Sequence, residues 1–139
     1  MDFQYSEDEK FFANLICNGD VNFLRRNRSK LFDFRDSTIK RKEFNKIRNK
    51  IFKKLVKKYG LNCQLILHHD CSKLKKFDVD HIIPLSSNEL NKKLRSMKPK
   101  NGKKVSSQSF GSNNEDNLIL SCSRCNAYKK HRIIMPRNI

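Results

Sequence analysis

The chain has 139 residues, of which 37% are hydrophobic and 32% are charged, and it contains no tryptophan. These values predict a small, polar globular protein of one domain, or a small domain with a helical extension, and exclude the disordered and membrane-spanning classes. A net charge of +17 is costly through self-repulsion and predicts a polyanionic partner. DNA or RNA comes first among such partners, ahead of an anionic membrane surface.

The first ten residues, MDFQYSEDEK, are acidic rather than signal-like. No apolar run approaches the about 18 to 20 residues that a membrane-spanning helix needs. The sequence therefore predicts an intracellular, cytoplasmic protein with no membrane partner.

The first sixty residues carry the pattern of three helices, at 6–17, 21–35 and 37–60. The first has an acidic first turn that suits the helix dipole, and the third repeats apolar side chains at helical spacing before a terminal glycine. From Lys40 to Lys58 the third segment holds ten Lys or Arg residues and one Glu. This density is typical of a solvated helix face, or, in the interpretation that we prefer, of a phosphate-contacting surface.

After residue 60 the pattern changes to short strands, and we place the boundary between two regions, 1–59 and 60–139, at this point. Three strands and a helix are predicted, at 61–71, 75–84, 117–121 and 123–134. Residues 86–116 are predicted to be an insertion with one helix, whose capping box is Ser86 and Glu89, and a loop rich in Lys, Gly and Ser. The predicted fold class is α+β.

Four of the five cysteines lie in the second region, and in a reducing compartment they indicate a metal site rather than disulfides. Cys122 and Cys125 form a CxxC pair, and Cys63 and Cys71 would complete the four thiolates of a structural zinc site. A site of three cysteines with His68 or His69, or no zinc at all, stays open. Cys17 is interpreted as a core residue.

Three segments in order, DHIIP, NLILSC and CSRCNAYK, resemble the HNH nuclease family over residues 55–132. The resemblance is to its zinc-knuckle, restriction-endonuclease-like members. It implies a zinc-stapled ββα-metal core, a hairpin followed by a helix, behind the N-terminal helices.

The chemistry of Asp80 and His81 suits phosphodiester hydrolysis independently of the family resemblance. A histidine with a pKa near 6.5 suits a general base that activates water, and a carboxylate is a hard ligand for Mg²⁺ or Mn²⁺. Neighbours on a strand point to opposite faces, so the two side chains would act from different sides.

The resemblance adds further roles for single residues. It implies that Asn117 braces the hairpin and helps to orient the base, and that Asn126 is the second ligand of the catalytic ion. Lys129 and Arg132 would face phosphates, and we interpret His131 as a DNA or solvent contact. The insertion, with Lys103 and Lys104 in its loop, is either a plain elaboration or, as we prefer, an element that contacts double-stranded DNA or contributes to specificity.

The resulting hypothesis is a restriction-type DNA endonuclease with one catalytic divalent ion and a structural Zn²⁺. Because one such site cuts one strand, a double-strand break would require a homodimer or two successive nicks. A homing or phage-borne nicking endonuclease, and a zinc-containing module that binds nucleic acid without cutting it, are the alternatives. RNA as substrate also stays open.

Overall fold

The computed structural model describes residues 3–65, 76–85, 88–95, 108–129 and 133–134. Three helices come first: α1 (Ser6–Ile16), α2 (Val21–Leu31) and α3 (Ser37–Tyr59). They are followed by strand β1 (Phe77–His81), helix α4 (Asn88–Arg95), a 3₁₀ turn (Glu115–Asn117), strand β2 (Leu118–Cys122) and helix α5 (Ser123–Lys129). The predicted α+β class is confirmed. Within the described residues, no helix is both long and apolar enough to cross a bilayer.

Helices α2 and α3 are capped by aspartates. The Asp20 side chain accepts a hydrogen bond from the Phe23 N–H, and Asp36 accepts one from the Thr38 N–H. Helix α2 was predicted to reach residue 35, which is wrong: it ends at Leu31. Phe32 leaves the helix because its backbone bridges to Gly111, and its ring joins a cluster of phenylalanines.

The two strands form an antiparallel hairpin in which Asp80 pairs with Ile119 and His81 with Leu118. Side chains alternate across the strand, so His81 faces α3, where its ring lies 4.6 Å from that of Phe44. Asp80 faces α5, where it meets Lys129. This division agrees with the predicted opposite orientation of the two side chains.

The predicted strand at 61–71 is not formed over 61–65, and its other residues lie outside the described part of the chain. Gln64 nevertheless lies alongside β2, because its N–H donates to the Leu120 carbonyl at 2.9 Å. Its side-chain oxygen in turn accepts from the Leu120 N–H at 2.7 Å. These two bonds hold Cys63 beside the end of β2.

Two buried clusters stabilise the fold. One packs α3 against the hairpin through Phe44, Leu55, Val79, Leu118 and Leu120. The other joins the first two helices to the opposite face of the hairpin and to α4, and its largest members include Phe12, Phe32, Phe110, Ile83 and Ile119. Both clusters mix residues from 1–59 and 60–139.

A buried lysine ties α3 to the segment before β2. Lys40 is fully buried, and its ammonium group donates to the carbonyl oxygens of Asp33 and Gly111. Burial lowers the pKa of Lys40 to about 8. Burying this cation costs desolvation energy. The two carbonyl oxygens hold its ammonium group at a defined position in the core.

At Gly111 the backbone lies so close to the residues that follow β1 that a side chain has no room. A Cβ atom there would lie 2.0 Å from the Ile83 carbonyl oxygen and 2.7 Å from that of Pro84. We expect Gly111→Ala to lower the free energy of unfolding by about 3 kcal/mol, since the backbone would have to move apart. Urea denaturation followed by circular dichroism measures this loss. Ser29→Ala, at an exposed position of α2, is the control and should leave stability unchanged.

Candidate functional site

A cavity of 350 Å³ opens where β1 ends. Its walls come from α3, from the end of β1 with the residues that follow, and from α5. The lining residues are Arg41, Phe44, Asn45, Asp80, His81, Pro84, Leu85 and Lys129. The predicted acid and base therefore reach one cavity together with a lysine and an arginine.

His81 is 9% exposed and packs against the Phe44 ring. Burial lowers the pKa of His81 from its usual 6.5, while the hydrogen bond with Asn113 opposes this shift. The imidazole is therefore neutral at physiological pH, which is the form that can accept a proton.

Asn113 determines which imidazole nitrogen is available. Its Nδ2 donates to the Lys40 carbonyl at 2.8 Å, so its Oδ1 faces the Nε2 of His81, also at 2.8 Å. An amide oxygen only accepts, so Nε2 must carry the proton. The neutral ring then has its lone pair on Nδ1. Sequence reasoning missed Asn113, which stood in the predicted insertion without a motif of its own.

The Asp80 carboxylate is held by its neighbour and by α5. One oxygen accepts a hydrogen bond from the His81 N–H at 2.9 Å. The other oxygen, Oδ2, is buried and lies 3.2 Å from the Lys129 ammonium group, with which it forms an ion pair. The angles of this contact do not meet those of a hydrogen bond, and no other described residue donates one to Oδ2. An oxygen in this position has lone pairs left for a cation.

Lys129 is 1% exposed, and its ammonium group also donates to the His81 carbonyl oxygen at 2.8 Å. In this structure it is an internal partner of the Asp-His pair. Its predicted contact with phosphates stays a prediction.

Asn117 is fully buried at the start of β2. Its side chain accepts from the Ile83 N–H at 2.9 Å and donates to the carbonyls of Ile83, at 3.1 Å, and Ser112, at 2.9 Å. It therefore fastens the residues after β1 to those before β2. The bond to the His81 ring is made by Asn113 instead.

Asn126 lies on α5, one turn before Lys129, and is half-buried. Residues three apart are neighbours on a helix surface, so Asn126 lies close to Lys129 on α5. It is absent from the described lining of the cavity. Its predicted role as a ligand stays a prediction.

Three cysteines meet at the other end of the hairpin from His81, where Cys122 pairs with Phe77. The Sγ atoms of Cys63, Cys122 and Cys125 lie within 4.8 Å of one another, and all three side chains are buried. Sulfurs bound to one zinc ion, at about 2.3 Å each, lie about 3.8 Å apart, so the cluster fits zinc. The Cys63 sulfur accepts from the Cys122 N–H and the Cys122 sulfur from the Cys125 N–H, both at 3.4 Å.

Burial raises the pKa of the Cys122 thiol, whereas the hydrogen bonds from Cys125 lower it. Zinc binds thiolates, so binding would release protons. The three buried thiols support the prediction of a cysteine-based metal site, and they are three of the four ligands predicted for it.

Several predicted residues lie outside the described part of the chain. They are Cys71, His68 and His69 of the zinc site, and Lys103, Lys104, His131 and Arg132 of the predicted DNA surface. Conversely, Arg41 and Asn45 line the cavity but were predicted only as part of a basic helix. No signal in the sequence distinguishes these two from the other polar residues of this helix.

No protein-family model, curated protein or solved structure matches this chain.

Proposed function

We propose that this protein is a metal-dependent DNA endonuclease of the HNH type, with a zinc-stapled ββα-metal core. The observation that supports this most is the placement of Asp80 and His81, which reach one cavity from opposite faces of β1. The bond to Asn113 leaves the His81 Nδ1 lone pair free to accept a proton.

In the proposed reaction, His81 takes a proton from the water that attacks the phosphorus atom. Asn113 holds the imidazole in the required tautomer, and Asn117 keeps the residues after β1 in place. Asp80, together with Asn126, would hold a Mg²⁺ or Mn²⁺ ion. When bound, that ion supplies positive charge to the phosphate and to the leaving 3′ oxygen.

The zinc ion is proposed to be structural. Cys63, Cys122 and Cys125 would provide three thiolates, with the fourth ligand from Cys71, His68 or His69. Because Cys122 ends β2 and Cys125 lies in the first turn of α5, a zinc ion would fix this helix against β2 and so help to place Lys129 near Asp80 and Asn126 one turn before it.

The net charge of +17 supports a nucleic acid as partner. Double-stranded DNA is the proposed substrate, with restriction-type specificity and a homodimer where both strands are cut. A homing or phage-type nicking enzyme would use the same site on one strand.

A supercoiled-plasmid digest with Mg²⁺ tests the proposal through Asp80→Asn. We expect this variant to lose cleavage by about a hundredfold or more, because the carboxylate ligand is gone. Asp78→Asn is the matched control: it removes the same charge from the same strand, and its carboxylate pairs with Arg48 instead. Cleavage by Asp80→Asn at the native rate would contradict the assigned metal ligand.

One observation favours a second function, a zinc-containing module that binds nucleic acid without cutting it. The ion pair between Lys129 and Asp80 gives the carboxylate a cationic partner without any divalent ion. If this is its whole role, native protein binds plasmid DNA and leaves it intact with Mg²⁺, Mn²⁺ or Ni²⁺.

A further inference from the structure

Helix α3 forms one wall of the cavity that contains His81. Arg41, Phe44 and Asn45 from this helix line it. Arg41 and Asn45 are four residues apart, so their side chains are neighbours on one helix face. Both are exposed, which leaves them accessible to a substrate.

Arg41 differs from the other arginines in its contacts. Within the described part of the chain, its guanidinium group has no hydrogen-bond or ion-pair partner. The guanidinium groups of Arg25, Arg35 and Arg48 pair with carboxylates, and that of Arg26 lies over the Phe23 ring. Arg28 and Arg124 are not without a partner either.

The charges that line the cavity favour an anion next to Arg41. Lys129 and Asp80 lie 3.2 Å apart and offset each other. Of the Lys, Arg and carboxylate side chains among the described lining residues, Arg41 is then the one without a partner. A phosphodiester group carries one negative charge, which matches it.

The position of Arg41 relative to His81 is fixed by its neighbours on α3. Phe44 packs on the imidazole with ring centroids 4.6 Å apart, and the Lys40 carbonyl accepts from Asn113 at 2.8 Å. Further along the helix, Arg48 pairs with Asp78 of β1 at 3.0 Å. These contacts hold α3 against the hairpin, so the Arg41 backbone is preorganised beside the site.

We propose that Arg41, with Asn45, forms a phosphate-binding subsite that holds the phosphodiester next to the one facing His81. The guanidinium group donates two parallel N–H bonds to the phosphate oxygens, and the Asn45 amide donates one more. The inference rests on the proposed function for its ligand class, the backbone of a nucleic acid. It adds residues from the N-terminal helices, which the resemblance to HNH nucleases does not cover.

The test compares Arg41→Ala with Lys42→Ala. Both remove one positive charge from adjacent, exposed positions of α3, but Lys42 is absent from the described lining of the cavity. Binding is measured by fluorescence anisotropy on a short fluorescein-labelled DNA duplex, in a His81→Ala background that leaves the duplex intact. We expect Arg41→Ala to weaken binding by about 10- to 100-fold and Lys42→Ala by about twofold.

Arg41→Lys provides a second readout, because it keeps the charge and loses the bidentate geometry. Its affinity should fall between those of the native residue and Arg41→Ala. Circular dichroism of each variant verifies that the exposed substitutions leave the fold intact.

Plasmid cleavage separates this inference from the proposed function. If the His81-containing protein cuts DNA and Arg41→Ala cuts and binds as well as Lys42→Ala does, the subsite is wrong while the nuclease proposal stands. If no variant cuts but binding depends on Arg41 more than on Lys42, the subsite stands and the nuclease proposal is wrong.

Discussion

Cys125→Ser should lose both its bound zinc and its cooperative unfolding transition. A structural zinc ion contributes on the order of 10 kcal/mol to folding, whereas a domain of this size has a net stability of about 5 to 15 kcal/mol. Cys125 is fully buried, and its backbone N–H donates to the Cys122 sulfur. Losing one thiolate therefore removes a large share of the stability of the hairpin and α5.

Zinc content by atomic emission and thermal unfolding by circular dichroism measure this effect. Cys17→Ser is the matched control, because Cys17 is half-buried at the end of α1 and lies outside the thiol cluster. It should keep one zinc ion per chain. A Cys125→Ser protein with native zinc content and an unchanged midpoint would show that the cluster is not a metal site.

His81→Ala should lower plasmid cleavage by about a hundredfold to ten-thousandfold, the usual contribution of a general base. Binding of DNA should be retained, because the side chain is only 9% exposed. His81→Gln, which keeps a polar side chain of similar size, should be as inactive as His81→Ala. Cleavage by either variant at the native rate would contradict the assigned base.

The pH dependence of cleavage follows from the environment of His81. Burial lowers the pKa of His81, so the neutral, active form persists to lower pH than for an exposed histidine. The cleavage rate should rise with pH, and the midpoint of this rise should lie below 6.5, the usual pKa of histidine. Above that midpoint the rate should level off. A rate that keeps rising above pH 7 would indicate a different base.

The local patterns were the predictable part of this structure. The three helices, the strand with Asp80 and His81, and the strand that follows Asn117 all lie close to the predicted ranges, because each depends on the spacing of its own apolar residues. The pair of Cys122 and Cys125 was predictable for a similar reason, since the CxxC spacing is local, whereas Cys63 is brought to this pair by the bonds between Gln64 and Leu120. The end of α2 was not, because a bridge from Phe32 to the distant Gly111 determines it.

The contacts of the site were less predictable than its central pair. Asn113 lies 32 residues from His81 in sequence, and Arg41 precedes it by forty. Nothing in either neighbourhood identifies a partner, since Asn in a polar loop and Arg in a basic helix are ordinary. Only the packing of α3 on the hairpin brings Arg41 to the cavity and the Lys40 carbonyl to Asn113.

The bond from Asn113 to the Lys40 carbonyl has a consequence for the independence of the hairpin. The acceptor that orients Asn113, and through it the imidazole, belongs to the main chain of an N-terminal helix. A segment that begins at residue 60 would retain every residue of the three sequence motifs. It would lose the Lys40 carbonyl, which orients Asn113 and so determines the tautomer of His81. The motif is therefore not portable by itself: grafted onto another protein, it would need a substitute for α3 before its histidine had a defined protonation pattern.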